Sequence, residues 1–305
     1  MIRKQGDAAV QNGNTEEAIV AYERAHDAFP LRQDIVRDLE GARLIFQSDL
    51  DYGQIYDIKS DIQEQPPVSQ LPQAIQLKPN ELYVPILMYH HIRINPKPGD
   101  PVWAALNVTA EQLDAQLQFL STNNFHTITL DDLNGALNGK ETLPENPIIL
   151  TFDDGYRTFY DNAFPLLKKY NMKATEFVIT QAVDASAYLT WDQILEIDKS
   201  DLVQFEAHSR HHPNLPSLSQ ASIIDEIRGS KEDLESHLKK PANWFAYPYG
   251  SYNDFVVKTV RDANYTGAVS TIYGSVQSSN NLFLLNRIMV DGRYSVNDLE
   301  KRIKR

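Results

Sequence analysis

The sequence predicts an α/β protein. A mainly parallel sheet with flanking helices closes, or nearly closes, into a barrel behind a small all-α N-terminal segment. Three observations carry this. From Tyr83 onward, short apolar runs alternate with helical patterns, as parallel strands joined by crossover helices do. Two of those runs stop on clustered polar residues, "TFDDG" and "FEAHSRHH", in the way barrel strands end at their carboxyl edge. The first 59 residues carry a helical pattern of their own.

Within that first segment, 1–59, "GDAAVQNGNTEEAIVAYERAHDAFP" reads as two short helices around Asn12-Gly13-Asn14. Gly6, Ala18, Tyr22, Ala25 and Pro30 fall at the spacing of one tetratricopeptide unit, which the stretch resembles. Small residues let paired helices approach, and Pro30 stops the second one. A second unit, Leu31 to Asp61, is helical in pattern without that signature. One repeat cannot bury its own face, so a truncated array or a docked repeat is expected. Residues 60–80 hold four prolines and five glutamines with no sustained apolar period, and read as a linker. The main domain is expected over 81–305.

Its elements follow in order. "VPILMYHHI" reads as a strand. "TAEQLDAQLQFLSTN" reads as a helix capped by Thr109, with Leu113, Leu117 and Leu120 on one face. "FHTITL" and "PIILTF" are strands, "YRTFYDNAFPLLKKYN" is a helix that Pro165 should perturb, and "KATEFVI" is a strand. A helix near Trp191, the strand "LVQFEAH" and a long helix from Ser219 to Leu238 come next. "ANWFAYP", a helix from Val256 to Ala263, "TGAVS" and "LFLLNRIMV" complete the pattern.

Two strand ends carry the candidate chemistry. Asp153 and Asp154 close "PIILTFDD", and Gly155 permits a turn; both carboxylates can reach one site only if the strand ends there, since strand neighbours point to opposite faces. His208 and His212 stand four apart after "LVQFEA". One carboxylate with two imidazoles suits zinc or another divalent transition metal, and the remaining carboxylate could take a proton from water. Taken singly, the acidic pair reads as a turn and the histidines as surface residues; their placement on two strand ends gives them weight together.

These residues resemble the NodB-homology polysaccharide deacetylases, the fourth family of carbohydrate esterases, through "TFDDG", the H-S-x-x-H in "HSRHH" and "FAYPYG". The resemblance spans about Val84 to Val290. It implies a distorted (β/α) barrel, seven-stranded, and metal-dependent removal of acetyl groups from sugars. It assigns Asp153 as general base and Asp154, His208 and His212 as ligands of one divalent ion (zinc, cobalt, nickel or iron). His211, three residues after His208, fits the motif less well. The backbone N–H of Tyr249 would serve the oxyanion. Two departures stand out. Tyr247 occupies the position of an arginine that pairs with the base in many members, and Arg287, on a late strand, could replace it in space. No histidine follows the late strand to act as acid; His90, beside His91 at the end of an early strand, takes that role. This order resembles the circularly permuted subgroup that deacetylates poly-β-1,6-N-acetyl-D-glucosamine. Ionised Asp153 is expected to keep His90 charged. Tyr188, Trp191 and Tyr247 are candidates for lining the sugar groove.

A net charge of −12 argues against nucleic acid, whose phosphates need clustered Lys and Arg. No cysteine is present, which removes thiol nucleophiles and Cys-ligated zinc. No run is long and apolar enough to span a bilayer, and no signal peptide is seen. A start inside a helical pattern favours a chain that lacks its export segment. The expected function is N-deacetylation of an exported poly-N-acetylglucosamine outside the cytoplasm. Alternatives are a chitin oligosaccharide or peptidoglycan deacetylase, or a silent polysaccharide-binding module. The helical repeat points to a protein partner, such as the polymer's secretion machinery.

Overall fold

The computed structural model describes residues 4–5, 21–22, 65–71, 75–97 and 99–304. The expected helical repeat and its linker boundary lie outside the described residues, apart from the helical pairs Lys4–Gln5 and Ala21–Tyr22. Tyr22 is buried and its hydroxyl shares a 2.8 Å hydrogen bond with Ser186 Oγ.

Seven strands carry the architecture: β1 (Ile86–Tyr89), β2 (Pro147–Asp154), β3 (Ala174–Val178), β4 (Val203–Ala207), β5 (Trp244–Ala246), β6 (Gly267–Tyr273) and β7 (Leu285–Met289). Each pairs in parallel with the next in the chain. β7 then pairs in parallel with β1, Ile288 opposite Leu87, so the sheet returns on itself. All strands therefore deliver their carboxyl ends to one mouth.

The period-2 alternation sorts the side chains into two cores. Leu87, Leu150, Phe152, Phe205 and Ile288 belong to one cluster with the helices outside the ring. Ile86, Ile149, Phe177, Trp244, Val269 and Leu285 form a second cluster inside it. Full burial of each such Ile, Leu or Phe stabilises by about 1.5–3 kcal/mol. The interior is packed, not a pore.

Helices α1 (Pro101–Leu106) and α2 (Ala110–Thr122) follow β1. Thr109 caps α2 with a capping box, and Leu113, Leu117 and Leu120 are its buried face, as expected. The expected strand 125–130 is only His126–Thr127, and Leu130–Leu137 is helix α3, which the sequence reading missed. Its Leu130 and Leu133 enter the inner cluster, and Asp131 Oδ1 accepts the Trp244 indole N–H at 2.9 Å. Leucines and tryptophan thus stop the end of the ring away from the mouth.

Pro165 does perturb its helix: a π-helical turn, Phe159–Ala163, precedes α4 (Phe164–Tyr170), where the proline sits in the first turn and its missing N–H costs nothing. α5 (Trp191–Asp198), α6 (Gln220–Leu238), α7 (Asp254–Asp262) and α8 (Val296–Ile303) complete the helices among the described residues. Two short ladders were also missed: 81–83 with 276–278, and 91–92 with 107–108. Part of the expected linker is tied down. Gln65 Nε2 donates to the Met289 carbonyl at 2.9 Å, and Arg302 donates to the Pro66 carbonyl at 3.1 Å.

Candidate active site

Asp153 follows Ile149 and Thr151 on the inner face of β2. Strict alternation would turn Asp154 outward. Its φ of 84° breaks that alternation, and Gly155 follows at φ 77°. Such backbone geometry is uncommon for a residue with a side chain and persists only where the surroundings enforce it. Here Glu176 Oε1 accepts the Gly155 N–H at 2.9 Å and holds the turn. Both carboxylates consequently stand at the mouth, buried.

Arg287 crosses the ring to Asp153. Its two terminal nitrogens donate to Oδ1 and Oδ2, each at 2.7 Å, in a bidentate pair. Thr151 Oγ1 and the Ser270 carbonyl take further guanidinium hydrogens and fix its plane. Burial pushes the Asp153 carboxyl up, but the charge and hydrogen bonds of Arg287 outweigh it and leave the group below 3.8. The arginine absent at Tyr247 is supplied from β7.

Asp154, His208 and His212 converge separately. Their candidate ligand atoms lie within 4.8 Å of one another, and all three residues are buried. Asp154 Oδ1 stands 3.4 Å from His208 Nε2 and 3.5 Å from His212 Nε2. The two Nε2 atoms are 3.1 Å apart. His208 Nδ1 donates to the Ala246 carbonyl at 2.8 Å, so the neutral ring turns its Nε2 lone pair to the cluster; the Asp154 and Asp153 carboxylates raise its proton affinity despite burial, and a cation entering the site would displace that proton. Burial drives the His212 imidazole down to about 3, so it is neutral with a lone pair to give. Both Asp154 oxygens lack a hydrogen-bond partner among the described residues. Converging lone pairs and an unsatisfied buried carboxylate are costly alone, and a divalent cation would satisfy them together. The residues fit a metal ion.

His90 follows Tyr89, which pairs with Phe152, so it stands level with Asp153 across the ladder. The strand breaks there. His91 moves into a separate ladder and stacks on Tyr156 at 3.7 Å. Burial lowers the proton affinity of His90 below 6.5, while Asp154 and Asp153 act to raise it, as expected of neighbouring carboxylates. Tyr249 lies in the turn after β5 at φ 58°, its ring edge against His212 at 4.4 Å.

Two of the three groove candidates are corrected. Tyr247 is buried in the outer core, its hydroxyl donating to the Phe283 carbonyl at 3.0 Å. Tyr188 is buried and stacks on Tyr156 at 5.3 Å. Trp191 lies flat on His237 of α6 at 3.7 Å, half-buried. Tyr188 and Tyr247 therefore present no face to a sugar. His211 is not part of the converging group, which is Asp154, His208 and His212; its Nδ1 is 2.8 Å from Glu226 Oε1. Glu176 and Glu226 were missed, although a charged residue inside the apolar run "ATEFV" is itself a signal.

A parallel barrel that closes over a buried carboxylate–imidazole cluster, beside a second carboxylate held ionised, defines a hydrolase site of the metal-assisted class. The polysaccharide deacetylase family model matches residues 140–268. The chain is 30% identical over 213 residues to YxkH of Bacillus subtilis (strain 168), a protein provisionally named a polysaccharide deacetylase, covering 70% of this chain and 72% of that one. It is 30% identical to the poly-β-1,6-N-acetyl-D-glucosamine N-deacetylase of Staphylococcus aureus (strain MRSA252), over 60% of this chain and 68% of the relative. Among solved structures, the deacetylase PplD of Streptococcus pyogenes, in complex with acetate, is 33% identical with a TM-score of 0.68, covering 73% of this chain and 99% of that one. The chain belongs to the polysaccharide deacetylase family. It is a polysaccharide N-deacetylase, a hydrolase of carbon–nitrogen amide bonds.

Proposed function

We propose that the protein removes acetyl groups from poly-β-1,6-N-acetyl-D-glucosamine, using Asp154, His208 and His212 to hold one divalent ion. The observation that carries the reading is the separation of the two aspartates: Arg287 holds Asp153 outside the Asp154–His208–His212 cluster. When bound, the ion would polarise the acetyl carbonyl and lower the pKa of water. Asp153, ionised, takes a proton from the attacking water as the bond to the carbonyl carbon forms. The Tyr249 backbone N–H is assigned to the developing oxyanion. His90 gives a proton to the departing nitrogen, the C–N bond breaks, and acetate and a free amine leave.

The β-1,6 linkage is supported by the Staphylococcus aureus relative and by the histidine's place on the first ring strand rather than a late one. The same order supports a circular permutation of the barrel. The proposal extends to an extracytoplasmic place of action and to a protein partner for the N-terminal helical segment. Among the described residues no helix is long and apolar enough to cross a membrane.

The test is acetate release from β-1,6- and β-1,4-linked N-acetylglucosamine oligomers, with and without chelator. We expect release from the β-1,6 series, its loss on chelation and its return with added zinc or cobalt. Preference for β-1,4 oligomers would move the substrate to chitin or peptidoglycan, and undiminished release without metal would remove the ligand assignment.

The state of His90 gives a pH prediction. An acid must be protonated, so the rate falls as pH rises through its pKa, which burial sets below 6.5. The alkaline limb of kcat/KM should therefore lie below pH 6.5 and vanish in His90→Asn. A limb that persists unchanged in that variant would place the acid elsewhere.

A further inference from the structure

The turn that carries the two histidines is strained. Ser209 has φ 61° and His212 φ 57°, left-handed values at residues with side chains. Such residues persist only where their surroundings over-determine them. Part of the hold comes from backbone: Thr180 N–H donates to the Ser209 carbonyl at 3.2 Å, and Gln181 N–H to the Arg210 carbonyl at 3.0 Å. Those bonds use only the turn's acceptors.

Its own Ser209 Oγ takes the His212 N–H at 3.0 Å, and the two donors between the strained residues go to one side chain. Glu226 Oε2 accepts both the Arg210 N–H and the His211 N–H, each at 2.9 Å, and Oε1 meets His211 Nδ1 at 2.8 Å. The two amides lie between the strained residues, so a single carboxylate pins the segment that sets the direction of both imidazoles. Glu226 is itself placed by α6. Gly229, on the same helix, lets Arg210 lie against the backbone, where a Cβ would meet its Cδ at 2.5 Å. Asp233, two turns on from Glu226, takes the Arg210 Nε at 3.2 Å and the Thr180 hydroxyl at 2.7 Å. Glu226, Gly229 and Asp233 fall at helical spacing on one face, against the turn.

We infer that Glu226 is a positioning residue for the metal centre: its carboxylate holds the 208–212 turn in the strained form that aims His208 and His212 at the same point as Asp154. The inference rests on reading those three residues as the metal ligands. It does not need His211, whose half-exposed ring is a bystander.

The full-length protein, stripped with chelator and titrated with cobalt(II), tests it through calorimetry and the visible absorption of bound cobalt. Glu226→Ala should bind cobalt about 10- to 100-fold more weakly than wild type, the usual cost of losing a group that orients ligands. Glu226→Gln keeps a carbonyl oxygen for both amides and should restore near-wild-type affinity and spectrum. His211→Ala should also bind normally. Should Glu226→Ala not fold, Glu226→Asp, one methylene short of the turn, should show a loss in the same direction. Wild-type affinity in Glu226→Ala, or in Glu226→Asp where that is the folded variant, overturns the inference. So does an equal loss in His211→Ala, which would give the role to the ring. A wild-type protein that binds no cobalt would instead sink the ligand assignment beneath it.

Discussion

Asp153→Asn is expected to lower the deacetylation rate by about 10²- to 10⁴-fold, the usual worth of a positioned general base, and to leave one bound metal per chain. The asparagine is nearly isosteric and still offers Arg287 an oxygen, but the buried guanidinium loses its counter-charge, so stability should fall together with the rate. The asparagine cannot accept a proton from water at any useful pH. The metal should stay because Asp153 is not in the Asp154–His208–His212 cluster. Acetate release and metal content, measured on the same preparation, separate the two effects. Lost metal would show that the aspartates share one role; retained turnover would remove Asp153 as the base.

Arg287→Met should cost both stability and rate. Arg287 and Asp153 are buried, and removing one member of a buried pair strands the other, at about 3–5 kcal/mol. In the wild type the Asp153 carboxyl titrates below 3.8, so its contribution to stability is present above that pH and fades as pH falls through the folded value. Without the guanidinium, burial dominates and the carboxyl moves above 3.8. The deficit of the variant should therefore be largest near neutrality and shrink on acidification, as Asp153 takes up its proton. For the same reason the acidic limb of the pH–rate profile should move to higher pH. Denaturant unfolding at several pH values and the rate profile check this. Unchanged limbs with unchanged stability would mean that the pair does not tune the base.

How far the sequence could be read depended on the range of the interaction. The strand-and-helix alternation, the Thr109 cap and the leucine face of α2 were legible because they repeat within one or two turns of chain. Arg287 was reachable as a partner for Asp153 because both sit at strand ends, which a parallel ring must gather. Tyr188 and Tyr247 were not legible as core residues. An aromatic beside a motif is exposed or buried according to what distant segments lay over it, here Tyr156 for one and the Phe283 carbonyl for the other. The proton affinity of His90 was legible only in part. Its carboxylate neighbours were readable in outline, but the degree of burial, which outweighs them, was not.

The sequence by itself determined which groups this protein has to work with: two aspartates ending one strand, two histidines after another, and a lone arginine on a third. These follow from local periodicity and from residue chemistry, both written in consecutive positions. Only the tertiary structure decided how they divide. The left-handed turn at Asp154 sends one aspartate to the imidazoles, and the ring that brings β7 beside β1 gives the other to Arg287. That division depends on pairings between residues far apart in the chain, where burial and a rigid hydrogen-bond frame set which charge meets which partner.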